Sequence, residues 1–153
     1  MAKNIITSIK IDDHSPEVLA AVKRTLHAAL LGCGLQAVRN ANIEIEKSPE
    51  RVDTGLLKNS ITYAMGGEAP MISSYRADNP SKYSNSGKIP SGSYSGTAPN
   101  EENTVFVGTN VEYGIYVHEG TRRMTANRFL RNAIQGHESD YENIVKTAFN
   151  HLH

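Results

Sequence analysis

The chain has 153 residues, enough for one domain with a moderate core, and its 16 basic and 16 acidic side chains balance at a pI near 7.0. A domain that wraps duplex DNA carries a basic excess, so bulk charge argues against that class and leaves room only for a local basic patch. The single cysteine, Cys33, has no partner for an intrachain disulfide, which suits folding in a reducing cytosol.

No continuous apolar run approaches the roughly 20 residues of a membrane span. Met1 to Asp13 carries lysines but no apolar h-region or cleavage signal, so the expectation is a soluble chain without a membrane partner. Ser15-Pro16-Glu17 reads as a helix start: serine caps free N–H groups, proline has its torsion preset, and glutamate meets the positive dipole end. Leu19, Val22, Leu26, Ala29, Leu30, Cys33, Ala37, Ala41 and Ile45 then keep a helical period. Gly32 and Gly34 weaken its middle by up to ~1 kcal/mol each, while the narrow stripe beyond them suits close approach of another backbone.

A helix from Pro16 to about Glu46 is roughly 45 Å long at 1.5 Å per residue. A compact chain of this size is only about 40 Å across, so the helix crosses the domain and can protrude from it. Ser48-Pro49 ends it. Thr54 to Asn59 reads as a helical turn and Ser60 to Met65 as a strand.

From Gly66 to Asn103 the chain is rich in Ser, Gly, Pro, Asn and Tyr, with Met71, Ile72 and Ile89 as scattered apolar residues. Such a stretch reads as a flexible loop or an extended hairpin insertion between strands. Its Tyr75, Tyr83 and Tyr94 form either an adaptable contact surface or a merely solvated loop.

Thr104 to Thr109 has strand composition. Val111 to His118 reads as a short helix with Tyr113, Tyr116 and Val117 on one side, stopped by Gly120. Asn127 to Ile134 begins a helix with Phe129, Leu130, Ala133 and Ile134 inward. After Gly136, Ser139 can cap a last helix bearing Tyr141, Ile144, Val145, Ala148 and Leu152. The sum is one α+β domain over 1–153: a long N-terminal helix on a small antiparallel sheet, with short C-terminal helices.

Three patterns invite chemistry. Asp53-Thr54-Gly55 spells the aspartic-protease triplet, in which two aspartates share a proton across a dimer. Its flanks, Glu50-Arg51-Val52 and Leu56-Leu57-Lys58, fit better with Asp53 or Thr54 capping a short helix whose first turn packs closely at Gly55. His118-Glu119 matches the start of a zinc-protease helix, but Arg122 stands where the second histidine belongs. His14, His27, His137, His151 and His153 show no ligand spacing, so no metal or other cofactor is expected. Arg122, Arg123, Arg128 and Arg131 form the one basic cluster, able to touch DNA phosphates, pair with acids of a neighbouring subunit, or simply face solvent.

Two stretches together closely resemble a family of tailed-bacteriophage neck proteins. The first is Val52 to Ile61, with Asp53, Thr54, Gly55, Leu57, Ser60 and Ile61 in the family's pattern. The second runs from Val105 to Ile134. It holds Val107 and Gly108, then Tyr113, Tyr116 and Val117, then Glu119, Gly120 and Thr121, and closes on Arg128, Phe129, Leu130 and Arg131. Asn127 and Asn132 stand where that family frequently has proline, and the 66–103 segment is longer than a simple hairpin. The resemblance implies a head–tail joining or tail-completion protein, in the virion and, during assembly, in the host cytoplasm. It implies no catalysis, a homo-oligomeric ring with six-fold symmetry, and neck, connector and tail proteins as partners. A tail terminator or head-closure ring is the near alternative. A dimeric aspartic protease using Asp53 and a DNA-contacting module are the distant ones.

Overall fold

The computed structural model describes residues 14–48, 55–78 and 89–152. Asp53, Thr54 and Tyr83 lie outside them, as do Met1 to Asp13 and Pro49. The fold is α+β, a long helix packed against small antiparallel sheets and short C-terminal helices.

Helix α1 spans Ser15–Glu46, about 48 Å at 1.5 Å per residue. Its cap position falls on His14 and makes no side-chain capping bond, so Ser15 sits one place too late for the expected role. Its buried residues run from Ala29 to Ile45, Ala37 and Ala41 among them, while residues 14–20 are exposed and the stripe residue Leu19 lies open. By length and composition α1 does pass as a membrane span, although its apolar run is not continuous, since Lys23 and Arg24 interrupt it. The stretch from Ala29 to Ile45 packs within the protein.

Helix α2 is Leu56–Ser60 and strand β1 is Thr62–Met65. Strand β4, Val105–Gly108, pairs antiparallel with β1, setting Tyr63 opposite Val107 and Met65 opposite Val105. Alternation along the ribbon puts Tyr63, Met65, Val105 and Val107 on the face toward α1. Gly34 makes that approach possible, since a Cβ there would come within 2.5 Å of Tyr63 Cδ2 and 2.9 Å of Val105 Cγ2.

Between β1 and β4, β2 (Ser74–Arg76) and β3 (Ser91–Ser93) pair antiparallel in a second ribbon. Backbone bonds extend it at both ends, from Tyr94 N to Ser73 O and from Ala77 N to Pro90 O. Further bonds, from Gly67 N to Pro99 O and Ala98 N to Glu68 O, fasten the returning strand to the turn after β1.

Helix α3 is Gly114–Glu119, shorter than the expected 111–118 span because Val111 to Tyr113 forms a turn closed by Gly114 N to Val111 O, 3.0 Å. Helix α4 is Phe129–Gln135 and α5 is Glu138–Asn150, capped at His137 rather than Ser139. Phe129 and Ala133 are buried, but Ile134, expected inward, is 51% exposed beside Tyr141 and Val145 of α5. The Tyr141 hydroxyl joins three helices: it donates to Ala133 O (2.6 Å) and accepts from Asn40 Nδ2 (3.1 Å). The main core gathers Ala41, Ile45, Leu57, Ile61, Val117, Phe129 and Ala133 where α1, α2, α3 and α4 meet.

Candidate interaction surface

Most residues that carry the two sequence patterns hold the fold. Gly55 occupies the α2 cap with φ +78°, a left-handed conformation, and a Cβ there would collide with Asp78 Oδ2. Leu57 is buried in the core. Ser60, 0% exposed, donates its hydroxyl to Leu57 O at 2.6 Å, leaving Thr109 Oγ1 to donate to Ser60 Oγ at 2.5 Å. Thr109 in turn accepts from Val111 N at 3.1 Å. This chain of bonds ties the end of α2 to the loop after β4, where Gly108 closes the strand.

The β2–β3 ribbon is rooted in the same place. The Tyr94 hydroxyl donates to Ser60 O and accepts from Asn110 N (3.3 Å). Tyr75 donates to Asn110 Oδ1 (2.5 Å), and Asn110 Nδ2 donates to Ser93 O (2.9 Å). The two tyrosine rings meet at 5.5 Å, tilted by 57°. Asn59 adds bonds from Nδ2 to Arg76 O (2.9 Å) and Asp78 Oδ1 (2.8 Å). Burial pushes both tyrosine hydroxyls above the ordinary phenol range, which keeps them protonated donors; at Tyr94 the Asn110 N–H opposes that shift. Tyr75 and Tyr94 are therefore anchors, not a free contact surface.

The second pattern builds α3 and the turn that follows. Gly114 and Val117 face inward and are buried; Tyr113 and Tyr116 point out instead of lying with Val117. The physical reason is spacing: positions 114 and 117 share one side of this six-residue helix, and the core claims that side. Ile115 is 63% and Tyr116 59% exposed. Gly120, with φ +80°, reverses the chain into a tight loop in which Thr121 N donates to Met124 O at 2.8 Å. Thr121 Oγ1 accepts from Arg123 N at 3.2 Å, and the tip of the turn is Arg122-Arg123. Met124 and Leu130 pack back on the core. Asn127 donates N–H to Val117 O (2.9 Å) and Nδ2 to Glu44 O (3.2 Å), bonds that a proline at this place could not make.

His118 links α3 to α4. Its Nε2 accepts the Arg131 N–H at 3.4 Å, so Nδ1 carries the proton toward Glu119 Oε1 at 2.8 Å, and its ring stands edge-on to Phe129 at 5.3 Å. The His118 hydrogen bond first, and then the charges of Arg128 and Arg131, hold the Glu119 carboxyl below its ordinary range. Arg122, Arg123, Arg128 and Arg131 are all exposed, and none makes an ion pair with another described residue. Among the described residues no group of three His, Cys, Asp or Glu side chains could hold a metal ion.

What the arrangement offers is a contact surface: exposed aromatic and aliphatic side chains on α3, followed by an arginine-tipped turn. Tyrosine and arginine are the residue types enriched at protein interfaces. Sequence reading missed Ile115, whose exposure depends on which side of α3 the core takes. It also missed Thr109 and Asn110, which look like ordinary loop residues and acquire roles only through Ser60, Tyr75 and Tyr94. No family model, curated protein or solved structure matches the chain.

Proposed function

We infer that this chain is a structural assembly protein of a long-tailed phage or prophage, acting as a ring at the head–tail interface. The observation that carries the reading is the division of labour within the resembling patterns. Gly55, Leu57, Ser60, Val117, Gly120 and Phe129 hold the fold, and Tyr113, Tyr116 and the four arginines face outward. A fold so arranged presents contact chemistry. A long helix whose first turns, residues 15–20, are exposed supplies a second surface for neighbours. The part it plays is joining or completing the head–tail interface, in the virion, with neck, connector and tail proteins as partners and no catalytic step. A tail-terminator or head-closure ring is the same reading placed one position along the neck.

One observation favours an added contact with genomic DNA: four exposed guanidinium groups without an ion-pair partner among the described residues. Such contacts neutralise phosphates irrespective of base sequence, so they fit DNA passing through a ring and would weaken steeply with salt.

Light scattering of the protein alone, and then mixed with tail tubes of the same phage, tests the reading. A ring, or a monomer that joins tails in fixed stoichiometry, is the expected result. A stable dimer indifferent to tails overturns it and returns attention to Asp53 and a peptide-cleavage assay.

A further inference from the structure

Two surfaces at opposite ends of α1 are complementary in charge and in apolar character. Near its N-terminal half, a groove of about 460 Å³ runs between α1 and the turns that flank the β1–β4 ribbon. Leu19, Val22, Leu26, Leu30 and Met65 give it an apolar floor, and Leu19 is 55% exposed. Glu68, Glu101 and Glu102 stand along the ribbon side, all exposed. Lys23 and His27 face them from α1, and His27 reaches Glu68 at 3.5 Å, so acid prevails over base on this rim. The rim is held in place by its backbone: Gly66 N donates to Thr104 O at 2.9 Å, and Glu101 N to Pro99 O at 2.9 Å.

At the other end, beside Glu44 and Ile45 of α1, stands α3 with Ile115 and Tyr116 projecting and with the Arg122-Arg123 turn behind it. Arg128 and Arg131 add to that charge, and Glu112 and Glu119 offset part of it. The separation along α1 from Leu26 to Ile45 is roughly 30 Å at 1.5 Å per residue. No single chain can bring these surfaces together.

We propose that the acidic-rimmed apolar groove beside α1 receives the α3 helix and arginine turn of a second copy of this chain. The inference deepens the ring reading and rests on it, because it names the two faces that such a ring would join. Each copy then uses different faces toward its two neighbours, the heterologous contact from which closed rings are made. Ile115 and Tyr116 enter the groove and cover Leu19, Val22 and Leu26. Arg122 and Arg123 come to rest against Glu101 and Glu102. An anionic membrane surface is a poor occupant of the same groove, because the carboxylate rim would repel it.

Sedimentation velocity at rising protein concentration, at low and high salt, reads the association. The Debye length falls from roughly 30 Å to 3 Å between those conditions, so charge-guided association weakens at high salt. The wild type is expected to form species larger than a monomer at low salt. Glu101→Arg/Glu102→Arg and Arg122→Glu/Arg123→Glu, all at exposed positions, are each expected to weaken association by roughly tenfold or more through like-charge contact. An equimolar mixture of the two variants restores complementarity and should recover the wild-type species, an outcome misfolding could not produce. If either variant associates as the wild type does, or if the mixture fails to recover, the assignment of faces is overturned while the ring reading stands. A wild type that stays monomeric both alone and on tail tubes overturns both. Flotation of the wild type with anionic phospholipid vesicles, lost on Leu19→Asn, would overturn the second copy as the groove's occupant.

Discussion

Gly55 shows how one residue's backbone decides a junction. Its φ of +78° and the carboxylate of Asp78 at the place of a Cβ leave no room for a side chain. Gly55→Ala should destabilise the fold by about 1–2 kcal/mol from the left-handed backbone alone, read as a lower denaturant midpoint. Glu119 shows an electrostatic role at the same scale. Its carboxyl is held below the ordinary value by the His118 N–H and then by the charges of Arg128 and Arg131. A depressed folded-state pKa gives stability that is present above the unfolded value and lost as pH falls through the folded one. The stability difference between wild type and Glu119→Gln should therefore be present at neutral pH. It should shrink as the solution is acidified below the ordinary carboxylate range, and urea melts across that range would show it.

At the scale of elements, the second ribbon depends on its root. β2 and β3 contribute three residues each, mostly Ser and Gly, and a two-stranded ribbon of that kind is marginal by itself. Tyr94 reaches Ser60 O and Asn110, and Tyr75 reaches Asn110, so hydroxyls supply the order that apolar packing does not. Tyr94→Phe removes the donor and leaves ring packing nearly intact. We expect faster amide exchange in 74–76 and 91–93, with exchange in α1 and α4 unchanged. Equal acceleration throughout the protein would mean that the ribbon unfolds only with the core. A net loss of about 0.5–1.5 kcal/mol is the scale set by one such hydrogen bond.

At the scale of the whole molecule, α1 is buried from Ala29 to Ile45 at intervals and leaves its first turns, residues 15–20, uncovered. Leu19 makes that division testable, because it is exposed in the single chain and yet belongs to the apolar stripe of α1. Leu19→Asn should change the stability of the isolated chain by no more than about 0.5 kcal/mol, as exposed substitutions do. Self-association measured by sedimentation should fall. A large loss of thermal stability in dilute, monomeric protein would show instead that Leu19 is packed within its own chain.

The helical period from Leu19 to Ile45 determined α1 almost to the residue, since 3.6-residue spacing is a local property that survives any packing arrangement. Strand composition placed β1 and β4 within two residues of their bounds, and with α1 it was enough for the α+β class. Helix caps were less legible: His14 and His137 hold positions that Ser15 and Ser139 suit better by preference, and each histidine ring lies within hydrogen-bond reach of the carboxylate three residues on, Glu17 and Asp140. Only the tertiary structure decided that Val117 turns inward while Tyr116 and Ile134 face out, because a short helix offers several apolar sides and the core chooses one. It alone decided that Tyr75 and Tyr94 anchor a ribbon, because their partners, Ser60 and Asn110, lie 16 to 35 residues away along the chain. Periodicity reports which side of an element is apolar. Which apolar residues stay uncovered depends on contacts between distant segments, which only the folded chain brings together.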